Sequence, residues 1–228
     1  MNSTLDTRTS EIAAHLTNLH SLVRAALTKA MKAFENLDLE LADETGRVSY
    51  QVEQLHQEVE ELVFDTVSKC QPSGVELRRL ITYNNTSGCL RRVGQYAEKI
   101  GKIVELCEDF DHFKELVSLP YLAELAISAI DVSIRAVLAE DLSEINELEK
   151  LEAQSDREAV DMFEEIAEYL NRRRDISELA MYYIIVGRYC ERAADQAIRI
   201  AESATYMITG ERVKLGLLYK EDEASMLD

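Results

Sequence analysis

Apolar side chains recur at three- and four-residue intervals along almost the whole chain, and only two prolines and eight glycines interrupt its 228 residues. That spacing stacks the apolar positions on one face of a helix and scatters them over both faces of a strand. The first run holds Ile12, Leu16, Leu19, Val23, Ala26, Leu27, Ala30 and Phe34. Asn36 and Asp38 break it, and Asp38 is placed to cap a second helix from about Leu39 to Val67. Leu41, Val48, Val52, Leu55, Val59, Leu62 and Val63 are its inward positions. Gln71-Pro72-Ser73 ends that helix, and Ser73 with Glu76 reads as a capping box for a third. The third carries Leu77, Leu80, Ile81, Leu90, Val93, Ala97, Ile100 and Val104, and fades near Asp109.

Residues 110–119 read as a linker, and Pro120 suits the first turn of a fourth helix bearing Leu122, Leu125, Ile130, Ile134 and Val137. Asp141 with Glu144 marks the cap of a fifth helix running to about Leu170. Asn171-Arg172-Arg173-Arg174 forms a turn, Asp175 with Glu178 caps a sixth helix, and Gly210 closes it. The order of helices, caps and turns repeats. An offset of 100 places Tyr83 on Tyr183, Arg92 on Arg192, Ala97 on Ala197 and Ile100 on Ile200. The expected fold is all-α, two tandem three-helix bundles over residues 5–109 and 119–210, with a partly ordered tail over 211–228.

Composition excludes several classes. The net charge of −18 repels nucleic acid and anionic lipid and favours cations or basic protein partners. Residues 1–110 carry 12 basic and 17 acidic side chains, whereas residues 111–228 carry 13 and 26, so the second half holds most of the excess. No apolar run approaches the ~18 residues that span a bilayer. The N-terminus has no basic region followed by an apolar one, so no secretory signal is expected and the cytoplasm is the expected compartment. Cys70, Cys89, Cys107 and Cys190 lack CxxC spacing and read as small core residues. His15, His20, His56 and His112 form no HxxxH pair and read as structural. No Gly-rich phosphate loop, nucleophile elbow or catalytic triad is present, so the local motifs do not point to phosphate binding or catalysis.

The sixth helix holds the most distinctive segment, RYCERAADQAIRIAESATYMITGE from Arg188 to Glu211. It sets Glu191 and Asp195 one turn apart on a helix otherwise lined with small apolar residues, where like charges repel. On the fifth helix Glu152 and Asp156 share that spacing. If the two helices are antiparallel neighbours, the four carboxylates converge as oxygen ligands for a hard or borderline cation. The plain alternative is a solvated acidic face, because Glu40/Glu44, Glu61/Asp65, Glu140/Glu144 and Asp161/Glu165 are spaced in the same way. No His follows His112, which disfavours di-iron redox chemistry built on Glu-x-x-His motifs.

CERAADQAIRIAESATYMITGE resembles the C-terminal signature of the PhoU family of phosphate-uptake regulators, a run like LERIGDHAxNIAE. QPSGVELRRLITYNNTSGCLRRVGQYAEKIGKI resembles the matching region of that family's first half. The resemblance covers about residues 5–212. It implies a non-enzymatic cytoplasmic adaptor that contacts the ATPase subunit of a phosphate ABC transporter and, where present, a sensor kinase. It also implies metal bound at E(D)xxxD motifs, here Glu152, Asp156, Glu191 and Asp195. Iron, Mn, Mg and Ca are the candidate divalent or trivalent ions. The first-half positions are degraded to Ser49, Glu53, Arg91 and Gln95, so metal is expected only in the second half. Arg91 either pairs with Glu53 in place of a cation or lies exposed, the exposed state being the plainer reading. A solvated turn is the plainer reading of Arg172, Arg173 and Arg174. A homodimer is kept open as the assembly. The alternatives are a carboxylate-bundle metal-dependent enzyme and a metal-free helical scaffold.

Overall fold

The computed structural model describes residues 3–217, and six helices account for nearly all of them. They are α1 (Ser3–Asn36), α2 (Leu39–Cys70), α3 (Gly74–Leu106), α4 (Ser118–Leu138), α5 (Ile145–Arg172) and α6 (Ser177–Thr209). No strand occurs among the described residues. All eight inward positions read in the first helix are fully buried, from Ile12 to Phe34. The five read in the fourth are buried too. In α2 the inward row is only partly covered at Leu41, Val48, Leu55 and Leu62, because this helix lies at the rim of its bundle. Ile81, read as inward, is 45% exposed.

Helix ends follow the local competition for hydrogen bonds. The Asp38 carboxylate accepts from the Leu41 N–H at 3.0 Å, the cap its position called for. The other three expected caps do not form. Asp175 is held by Arg173 at 2.6 Å, and Asp141 accepts from the Ser143 N–H at 2.9 Å. Ser73 has extended backbone, and the left-handed Gly74 that follows (φ 57°) turns the first helical N–H groups away from its hydroxyl. Gly210 closes α6 with φ 79°, a conformation nearly free of cost only for glycine.

The two sets of three are not separate bodies. α1 packs on α2 and α3, and α4 on α5 and α6, but α3 also lies along α6 and α1 along α4. Each helix of the junction therefore meets its own repeat mate, and one apolar core runs through both bundles. The α3–α6 seam is antiparallel. The Thr82 hydroxyl donates to the Ser203 carbonyl at 3.2 Å and the Arg78 Nε–H to the Met207 carbonyl at 3.3 Å, while Tyr96 stacks on Tyr189 at 5.9 Å. On the α1–α4 side His20 bonds Asp131 at 2.7 Å.

The linker expected over 110–119 is pinned instead of loose. His112 Nε2 lies 2.9 Å from the Phe34 carbonyl and Nδ1 lies 2.7 Å from the Tyr183 hydroxyl. A carbonyl only accepts, so Nε2 carries the proton and the tyrosine donates to Nδ1. Tyr183 is fully buried among Phe34 and Phe113, and burial holds its phenol far above the ordinary range. His112 is thus structural. Within the first bundle α2 and α3 cross closely at Gly101, where a methyl would collide with the Thr45 hydroxyl and come within 3.0 Å of the Ala42 carbonyl oxygen. Gly101→Ala is therefore expected to lose about 1–3 kcal/mol in urea unfolding, the usual cost of overpacking. A gain in stability would show that the crossing tolerates a side chain.

Candidate functional site

The four carboxylates singled out in the second bundle divide into two groups. Asp156, Glu191 and Asp195 face each other across the α5–α6 contact and are half-buried. Burial first, and then the charges of Asp156 and Asp195, push the Glu191 carboxyl above its ordinary range. Arg188 opposes this from 3.5 Å, along the exposed edge of the helix. Asp156 and Glu191 line a groove of about 380 Å³ whose other walls are mostly apolar, with Ala159, Met162 and Ile184 inside, Val160 and Phe163 exposed at its lip and Arg188 at its edge. Gly187 keeps the groove narrow, since any side chain there would run into Met162.

Glu152 belongs elsewhere. It is buried, is not among the charges that bear on Glu191, and faces the C-terminal segment. There the Gly216 N–H donates to Glu149 Oε1 at 3.0 Å, with both residues buried. A Cβ on Gly216 would sit 3.3 Å from Glu152 Oε1, and its φ of 74° also suits glycine alone. Just upstream, the Leu215 N–H donates to Glu202 Oε1 at 3.2 Å, Lys214 lies 3.7 Å from the same oxygen, and Arg212 stacks over Tyr206 at 4.5 Å. So residues 211–217 dock on α5 and α6, and the rest of the expected tail lies outside the described residues.

Glu149, Glu202 and Gly216 were missed in the sequence. The signal for Glu149 was its place in the inward row Ile145, Glu149, Glu152 and Asp156. For Gly216 it was a lone glycine inside the apolar run Leu215 to Leu218.

The donor chemistry of Asp156, Glu191 and Asp195 suits a hard or borderline cation. Their spacing does not close a cage: no three His, Cys, Asp or Glu side chains among the described residues stand close enough to hold a metal ion. The acidic pairs with the same spacing elsewhere are ordinary solvated or paired groups. Glu44 meets Lys29, Asp65 meets Lys69, Glu140 meets Arg79, Glu144 meets Arg135 and Glu165 meets Lys114.

In the first bundle the degraded positions neutralise one another. Arg91 lies 3.4 Å from Glu53 with each side chain about one-third exposed, so the pair forms and the plainer exposed reading fails. Closeness across α2 and α3 brings the two together. Ser49 is buried and donates to Glu98 at 3.0 Å, and the Lys102 ammonium and this hydroxyl hold the Glu98 carboxyl below its ordinary range. Arg172, read as part of a turn, is instead the last residue of α5, 79% exposed beside Glu168.

The raised Glu191 carboxyl gives a signed expectation. A carboxyl whose pKa is higher folded than unfolded costs stability once ionised, so the cost is present above the raised folded value and absent below the unfolded one. Glu191→Gln should raise the melting temperature at pH 7, and the gain should vanish as pH falls through the carboxylate range near 4. A loss of stability at pH 7 would mean that Glu191 is held by a partner stronger than Arg188.

Three comparisons bear on what kind of protein carries this site. The PhoU domain model matches residues 16–104 and again residues 119–204, that is, one copy in each bundle. The phosphate-specific transport system accessory protein PhoU homolog 1 of Thermotoga maritima is 25% identical over 194 residues, covering 85% of this chain and 84% of that protein. The corresponding homolog of Pseudomonas aeruginosa is 22% identical and covers 93% of this chain and 89% of its own length. In fold, the crystal structure of PhoU from Pseudomonas aeruginosa aligns with a TM-score of 0.85 over 90% of this chain and 99% of that one, at 21% identity. The phosphate transport system regulatory protein PhoU from Streptococcus pneumoniae aligns with a TM-score of 0.84 over 92% and 100%, at 22% identity. With a domain match in each half that takes in most of the six helices, the chain belongs to the PhoU family.

Proposed function

We propose that this chain is a non-enzymatic accessory regulator of a phosphate-specific transport system, coupling phosphate uptake to phosphate-responsive signalling. The observation that carries this reading is the paired PhoU-domain match, one in each bundle and together spanning most of the fold. The accessory-protein names of its relatives support it. The partner is the ATPase subunit of a phosphate ABC transporter and, where the cell has one, a sensor kinase. No helix among the described residues is long and apolar enough to cross a membrane, which suits a protein that meets its transporter from the cytoplasm.

The α5–α6 groove suits such a contact. Its exposed Val160 and Phe163 lie beside Asp156 and Glu191, so it offers apolar area flanked by two carboxylates, with Arg188 at the edge. A partner surface with apolar anchors and a basic side chain complements both. The same carboxylates are where a cation such as Mg, Mn, Ca or iron would be taken up, with Asp156, Glu191 and Asp195 moving together to hold it. A homodimer is compatible with either role.

Affinity capture from the native cell, in phosphate-rich and phosphate-poor medium, should recover the transporter ATPase in a phosphate-dependent amount. Recovery of no transport or signalling component under either condition would reject the adaptor. In parallel, Glu191→Ala with Asp195→Ala should abolish Mn or iron binding measured by calorimetry. Unchanged stoichiometry in that double variant would reject the second-bundle cation site.

A further inference from the structure

The first bundle carries a groove that mates by register with the acidic one but has the opposite charge. At the offset of 100, Asn84, Gly88 and Arg91 of α3 stand where Ile184, Arg188 and Glu191 stand in α6. On the second helix of each bundle the offset is 103, as for Ser49/Glu53 and Glu152/Asp156, and His56 and Glu60 of α2 hold the places of Ala159 and Phe163 in α5. The groove, of about 360 Å³, is mostly polar where its mate is mostly apolar, and it extends across the seam to Arg199 and Ser203 of α6. Three guanidiniums line it, those of Arg91, Arg92 and Arg199, against the single carboxylate of Glu60. Such a cluster is unexpected in a chain whose net charge is −18.

Two of the three arginines are not consumed by the fold. Arg92 and Arg199 are exposed and form no ion pair among the described residues. Arg91 is partly satisfied by Glu53 at 3.4 Å, but its Nε is buried and has no hydrogen-bond partner. A buried N–H without an acceptor is costly to leave, and a charged donor more so. Burial raises the Cys89 thiol pKa, while Arg199 and Arg92 both pull it down, which places the two guanidiniums around one sulfur. Asn84 and Asn85 add amide donors along the α3 side.

We infer that this groove binds a small oxyanion, a phosphate or carboxylate group, held by Arg91, Arg92 and Arg199. Two adjacent guanidiniums of α3 and one of α6 line a single groove, and their forked N–H donors match the oxygens of an oxyanion. No glycine loop is needed, so no local phosphate motif marks the groove in the sequence. A lone exposed ion pair is worth about 1 kcal/mol or less, so the site depends on convergence of all three and on the half-buried Arg91. The pseudo-repeat then pairs one groove that attracts cations with one that attracts anions.

Titration of the full chain with inorganic phosphate and, separately, with succinate tests this by calorimetry and by ¹⁵N-resolved amide spectra. Saturable one-to-one binding of either anion is expected, with shifts at Gly88 and Asn85. Arg199→Gln and Arg92→Gln, both exposed and without structural partners, should each weaken it by about tenfold or more. Phosphate alone binding would mark a phosphoryl site, succinate alone a carboxylate site. No saturation by either anion in the millimolar range, or binding left unchanged in both variants, would overturn the assignment. So would shifts confined to the separate basic pair Arg78 and Arg212 beside Tyr206, where an adventitious ion could also sit.

Discussion

The antiparallel packing of α3 on α6 is the interaction on which the rest of the molecule depends. Each bundle alone would leave the faces along which these two helices meet open to water. Joined, they extend one apolar core across both halves. Transfer of that surface out of water supplies the stabilisation, at about 25 cal/mol per Å² of apolar area. The polar contacts at Thr82–Ser203 and Arg78–Met207 then set the register of the two helices. Because α1 meets α4 in the same pseudo-twofold way, the seam also brings Arg199 of one repeat beside Arg91 and Arg92 of the other.

Duplicate bundles held in a fixed relation have diverged in charge at equivalent places. In the second, Asp156, Glu191 and Asp195 crowd together and raise the Glu191 carboxyl. In the first, Arg91 and Glu53 cancel and the surplus is positive. The acidic pairs of the same spacing elsewhere each meet a lysine or arginine. The C-terminal segment adds a second distinction. Gly216 closes over Glu149 and Glu152, so the carboxylate nearest the tail is committed to the chain itself.

Much of this was legible in the sequence, and the failures have identifiable causes. Helical period alone located the α1 and α4 faces, since a helix central to the core must be apolar along a whole stripe. It overreached at Ile81, which has the right spacing but lies 45% exposed near the end of the seam. Caps were less legible, because Asp141 and Asp175 found nearer partners in Ser143 and Arg173. At the candidate site the Glu191/Asp195 spacing was legible and the turning away of Glu152 was not, as that depends on where a distant segment returns. The arginine groove was hidden for the same reason: its parts come from α2, α3 and α6 and meet only through the seam.

The central claim, that the two repeats form one cooperative body, is tested most directly by reporting on each bundle separately in the intact chain. The chain has no tryptophan, and Phe64 on α2 and Phe163 on α5 are 74% and 55% exposed, so Phe64→Trp and Phe163→Trp place a fluorophore in either bundle with little disturbance. Urea unfolding followed at each reporter should give the same midpoint and slope, as expected for a single cooperative unit. Midpoints that separate, with one bundle melting while the other stays folded, would contradict the account.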